Sequence, residues 1–200
     1  MAKSQKQKIK KIWKLAIPYL KKGIRKDFLV HTKGVVKAMK LLLKKEKGDP
    51  NILIPAAILH DVGWAKVPAK LQKSKDKKEV RKAMELHLKY AVPIIKEILG
   101  KVGYKRNQIK KVVEIVLSHK YHNPRRHDKR LLIDADNLSD IFKDQFYSDC
   151  RVYKISPKEF LKIRRENKFY TKTAQEIFQK ELKKREKEIL KKENELETNN

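Results

Sequence analysis

The chain carries one cysteine, Cys150, in 200 residues. An internal disulfide is therefore impossible, and a reducing compartment fits best. A chain of this length buries roughly 70% of its unfolded surface and needs no such staple. No apolar run approaches the roughly 20 residues that span a membrane. The basic opening "MAKSQKQKIKKIW" leads into no long apolar segment. The expectation is neither signal peptide nor anchor, no membrane partner, and a cytoplasmic protein. There is no glycine-rich phosphate loop, and no Ser/His/Asp or Cys/His nucleophile arrangement stands out. Internal repeats and low-complexity linkers are also missing.

Acidic residues are scarce beside basic ones. Asp and Glu number 24 against 52 Lys and Arg, for a net charge of +28. A field of that sign draws phosphate-bearing partners. The lysines are spread along most of the chain, with no aromatic-interleaved RNA-binding signature. A solvated lysine-rich surface is thus preferred over a nucleic-acid interface. An anionic small molecule remains a better partner than a cationic one.

The alternation that marks strands is scarce, while helical spacing is abundant, so the expected class is all-α. Helix one spans about Gln5 to Leu20, with Ile9, Ile12, Trp13, Ala16 and Ile17 on one face and Pro18 near its end. Helix two starts near Asp27 as N-cap and ends before Gly48. Helix three opens on Asp49 and Pro50 and runs to His60 or Asp61, with Pro55 inside. A long helix covers about Asp76 to Leu99, stopped by Gly100, with a kink expected at Pro93. Another spans Asn107 to Lys120. "RLLIDADNLSDIFK" gives the next, and the stretch from "SPKEF" onward gives one or two closing helices. The polar end "KKENELETNN" is expected to fray.

Histidines fall on the apolar faces of these helices. Steps of three and four from His31 reach Val35, Ala38, Met39 and Leu42; back from His60 they reach Ala57, Ala56 and Leu53. His87 shares a face with Ala83, Met84, Ala91 and Ile94, and His119 with Val112 and Val116. One such histidine alone is ordinary core. Four, sharing an interior with Asp61 and with Asp134 and Asp136 of "DAD", are harder to dismiss. Asp61 also stands at a helix C-terminus, where the macrodipole disfavours an anion, so it needs a cation. Imidazole and carboxylate together suit Zn, Fe, Mn and similar divalent ions. Periodicity leaves Asp134 and Asp136 open as alternatives.

The segments "HTKGVVKAMKLLL", "ILHDVGW" and "LLIDADNLSDI" resemble the HD superfamily of metal-dependent phosphohydrolases, over about Asp27 to Phe142. The stretch "ENKFYTKTAQEIF" also resembles small bacterial and archaeal members. The resemblance implies an all-α HD-domain helical bundle. Residues 27–145 would form its core and 146–195 a helical extension of the same domain. Residues 1–26 would hold a helix packed on that core, and 196–200 a disordered tail. It implies His31, His60, Asp61 and Asp136 as ligands of one metal; Asp136 is preferred because members place the ligand directly after a small residue. His87 and His119 fall where binuclear members carry further ligands, with the HD aspartate bridging. The alternative for these two is a role around a single ion. The cofactor would be one or two divalent transition ions, Mn, Fe, Co, Ni or Zn.

The activity implied is metal-dependent hydrolysis of a phosphate ester or anhydride, with a nucleotide or related phosphorylated compound as the expected substrate. Asp61, His87 and His119 would be the catalytic residues. Substrate contacts are expected from Arg125 and Arg126 in "HNPRRHDKR", from Asp140 and from Lys66. His122 is expected as a further contact, and Asp134 as a neighbour supporting the ligands. One departure concerns Trp64, which stands where many phosphodiesterase members have lysine after "HD-x-G". The Gly-Tyr-Pro signature of cyclic dinucleotide hydrolases is also missing. Two readings of other classes compete: a basic nucleic-acid-binding protein with a structural HD site, and a di-iron oxygenase-type HD enzyme.

Overall fold

The computed structural model describes residues 3–24, 27–120 and 123–197. Its helices are α1 (Lys3–Leu20), α2 (Phe28–Leu42), α3 (Pro50–Leu59), α4 (Ala69–Lys73), α5 (Lys77–Lys101), α6 (Arg106–Val116), α7 (His127–Ser139), α8 (Lys143–Tyr153), α9 (Pro157–Arg164) and α10 (Lys172–Glu197). A 3-10 turn, Val62–Lys66, follows α3. Among the described residues there is no strand, so the class is all-α. No described helix is long and apolar enough to cross a membrane.

α3 is the hub. Every residue from Ile52 to Leu59 is buried, as expected of a helix apolar all round. α1, α2, α6 and α7 pack about it. Asp49 caps it by accepting from the Asn51 backbone N–H at 2.8 Å, and Pro50 occupies its first turn. α1 lays Ile9, Ile12, Ala16 and Leu20 against the core. α10 closes the far side with Ala174, Phe178, Leu182 and Ile189, a stripe at helical spacing.

Several boundaries differ from those expected. α5 runs through Gly100, and the residue that ends it is Gly103, at φ +78°. There the Tyr104 N–H reaches the Leu99 carbonyl at 3.0 Å and the Gly103 N–H reaches Gly100, a left-handed cap that favours glycine. α6 stops at Val116, so His119 and Lys120 lie in the turn beyond it. Asp27 precedes α2 but makes no capping bond. Its Oδ2 instead accepts from Gln145 and Ser148 of α8, each at 3.4 Å. α8 itself had no counterpart in the expected helices.

Two close approaches set the interior. A Cβ at Gly34 would stand 3.1 Å from the Ser139 Cβ, which shows how nearly α2 and α7 touch. A Cβ at Gly63 would meet the His87 carbonyl oxygen and lie 2.8 Å from the Ala91 nitrogen. Gly63 therefore lets the turn after "HD" sit against the α5 backbone.

Candidate metal centre

Six side chains meet where α2, the α3 end, α5, the turn after α6 and α7 converge. His31, His60, Asp61, His87, His119 and Asp136 are all buried. Their ligand atoms fall into two triads, His31, His60 and Asp136 in one, and Asp61, His87 and His119 in the other. The atoms of each triad lie within 4.8 Å of one another.

The first triad is compact. His31 Nε2 lies 3.1 Å from His60 Nε2 and 3.1 Å from Asp136 Oδ1, with 3.7 Å from His60 Nε2 to Asp136 Oδ1. Asp61 spans both triads. Its Oδ2 stands 3.5 Å from His31 Nε2 and 3.3 Å from His60 Nε2. Its Oδ1 stands 3.7 Å from both His87 Nε2 and His119 Nε2. Two atoms each roughly 2.1 Å from a shared ion lie about 3.0–3.6 Å apart for ligand angles of 90–120°. The observed separations fit that range closely.

The ring tautomers fit as well. The Ser139 hydroxyl donates to the Asp136 carbonyl at 2.8 Å, so its oxygen is left to accept from His31 Nδ1, at 3.3 Å. His60 Nδ1 donates to the Ala57 carbonyl at 2.9 Å, and His119 Nδ1 donates to that of Val116. In all three the Nδ1 carries the proton, so the Nε2 lone pair points into the cluster. His87 Nε2 and His119 Nε2 are buried and find no hydrogen-bond partner among the described residues. A buried polar atom without a partner is costly, and a cation between the imidazoles and Asp61 would remove that cost. The residues present therefore fit one or two divalent ions of the kind bound by nitrogen and oxygen.

Burial opposes the charged form of His31, but Asp136 and Asp61 beside it hold its imidazole above the ordinary range. Burial pushes the His87 imidazole down to about 3. Burial likewise lowers His119, helped by Lys120. Both stay neutral, as ligands must. For Asp61 and Asp136, burial works against the carboxylate, but His60 beside the first and Lys120 beside the second outweigh it and hold both well below the usual range.

Trp64 finishes the second triad. Its ring stacks on His87, with centroids 4.6 Å apart and planes 6° from parallel. Its indole N–H donates to Asp61 Oδ1 at 3.2 Å.

A cavity of about 350 Å³ opens above the cluster. Its lining includes the apolar Phe28, Trp64 and Met84 and the charged Asp140, Asp149 and Arg164. Lys120 stands at its edge, with Nζ 2.5 Å from Asp136 Oδ2. Burial opposes its charge, yet Asp136 and Asp61 hold it above the ordinary lysine range. Arg164 of α9 pairs with Asp140 at 2.9 Å and lies over the Phe160 ring.

The remaining expected site residues are placed as follows. Asp140 lines the cavity, tied to Arg164. Arg125, Arg126 and Lys66 are exposed and do not line it. Arg126 is spent on Glu114 at 3.0 Å and on Asp128. Asp134 is outside the cluster; its oxygens accept from the Tyr170 and Thr171 backbone N–H groups and the Thr171 hydroxyl, which fastens the approach to α10. His122 lies outside the described residues. The space beside Gly63 is filled by the α5 backbone. Lys120, Arg164 and Ser139 had not been singled out. Two of these are basic residues in a chain with 52 of them, and nothing in their spacing marks them.

A family model described as HD domain matches residues 28–195. No curated protein and no solved structure matches the chain.

Proposed function

Because the chain belongs to the HD domain family, we propose that it is a phosphohydrolase with two metal ions that cleaves a phosphate ester or anhydride. Proteins of this family are in general metal-dependent hydrolases. The proposed substrate is a nucleotide or a related phosphorylated compound. The observation that carries this reading is Asp61, whose two oxygens face two separate triads at the floor of one cavity. Divalent ions held there supply Lewis acidity, which acidifies water and polarises a phosphoryl oxygen.

The protein's own part is placement and charge. Ser139, Ala57 and Val116 fix three imidazoles in one tautomer, so no reorganisation is needed when ligands engage. Trp64 holds Asp61 Oδ1 and covers His87. Lys120 offers a cation where the phosphoryl group would lie; its ammonium has three donors and spends one on Asp136. Phe28, Trp64 and Met84 give part of the cavity an apolar lining that disfavours water.

The test is a hydrolysis screen. The chain is stripped with chelator, reloaded separately with Mn, Fe, Co, Ni or Zn, and offered nucleotides, dinucleoside polyphosphates and short RNAs. Release of phosphate or a shorter product by a metal-loaded form, lost in Asp61→Asn, supports the reading. No hydrolysis by any form, with oxygen consumption by the iron form, would replace it with an oxygenase.

A further inference from the structure

Lys120 lines two cavities. One lies above the metal cluster. The other, of about 690 Å³, lies along the start of α5 and is lined by Lys75, Lys77, Arg81 and Glu85 as well as Lys120. The two differ sharply in charge. Beside the cluster, Asp61, Asp136, Asp140 and Asp149 face only Lys120 and Arg164. Along α5, four cations face one carboxylate, and that carboxylate, Glu85, is paired with Arg81 at 3.1 Å. Lys75 and Lys77 have no ion partner among the described residues.

A phosphoryl group drawn to the cluster by its ions has a choice of directions for any further anionic group. Towards α8 and α9 that group meets Asp140 and Asp149, whose one cation in the lining, Arg164, is already paired with both, at 2.9 and 3.7 Å. Across Lys120 it meets Lys75 and Lys77, which attract it. We propose that the substrate carries at least one phosphate beyond the one attacked, and that Lys120, Lys75 and Lys77 hold it in the cavity along α5. This rests on the phosphohydrolase reading and narrows it to substrates with a chain of phosphates, such as anhydrides or oligonucleotides. The less anionic part of the substrate is then left to the apolar lining residues Phe28, Trp64 and Met84.

The test compares orthophosphate with methylene diphosphonate, an uncleaved two-phosphate probe. Each is titrated calorimetrically into the manganese-loaded full chain at constant free manganese. The diphosphonate should bind at least tenfold more tightly than orthophosphate. Lys75→Gln/Lys77→Gln should lose that gain and keep the orthophosphate affinity. A control variant, Lys40→Gln/Lys44→Gln, removes equal charge from a separate groove beside Trp13 and should lose less than twofold. Orthophosphate binding with no gain for the diphosphonate overturns the proposal and leaves the phosphohydrolase reading standing. An equal loss in the control variant also overturns it, because the general positive field is then sufficient. Failure of both probes to bind the loaded wild type removes the phosphohydrolase reading and this proposal together.

Discussion

Asp61 gives one carboxylate oxygen to each triad, so its replacement has to be felt by both. Asp61→Asn keeps the shape and removes the charge. Metal content should fall, and on the proposed function hydrolysis should drop by orders of magnitude, since ions that would activate water are weakened or lost. Metal analysis and turnover on the same preparation check this; full metal content with full activity would exclude Asp61 as a ligand. A subtler test is Ser139→Ala. Ser139 touches no ion in this account, but its oxygen accepts the His31 Nδ1 proton. Its loss frees the ring to turn, and affinity for the first ion should weaken roughly 10- to 100-fold. A competition titration against a chelator of known affinity measures the change. How legible were these residues in the sequence? The histidines were, because inward-facing positions recur at helical spacing. Asp136 was separated from Asp134 only by resemblance, since both are buried. The structure separates them through partners: Asp134 is spent on Tyr170 and Thr171. Ser139 and Lys120 were not legible, because a serine or a lysine on a helical chain carries no mark of the imidazole or carboxylate it will meet.

At the scale of elements, the 3-10 turn and α5 act as a pair. Gly63 lets them touch, and α5 carries His87 into the second triad. Gly63→Ala would force the α5 backbone away, with an overpacking cost of about 1–3 kcal/mol. The second ion should be lost before the first. Thermal melting together with metal content checks both; a variant as stable as wild type with full metal content would contradict this packing account. Asp134→Ala probes a different joint. It leaves the Tyr170 and Thr171 N–H groups without their acceptor and should cost about 2 kcal/mol while leaving metal content intact. Sequence periodicity found most of these helices because their buried faces are apolar. It passed over α8, whose buried face includes Gln145, Ser148 and Asp149 beside Phe146 and Cys150. It overran α6 to Lys120, and stepping in fours still placed His119 inward because the turn that follows keeps it on the same side. It placed the end of α5 at Gly100, whereas the left-handed position is Gly103.

For the molecule as a whole, the cluster joins α2, α3, α5 and α7, so metal binding and folding must be linked. Ions held by this cluster would bind the folded chain and not the unfolded one, so chelation should lower the melting temperature by roughly 5–10 °C. Unchanged melting after complete metal removal would contradict a site built from the core. The charge of +28 sits over this core mostly as exposed lysine, and on the proposed function it would raise the local concentration of a phosphate-bearing substrate in a salt-dependent way. The most direct test of the central claim, two ions bridged by one aspartate, is metal content at saturation, by elemental analysis of the wild type and of His87→Ala/His119→Ala. The account predicts two equivalents per chain in the wild type and one in the variant. A wild type that never exceeds one equivalent under saturating metal would contradict it.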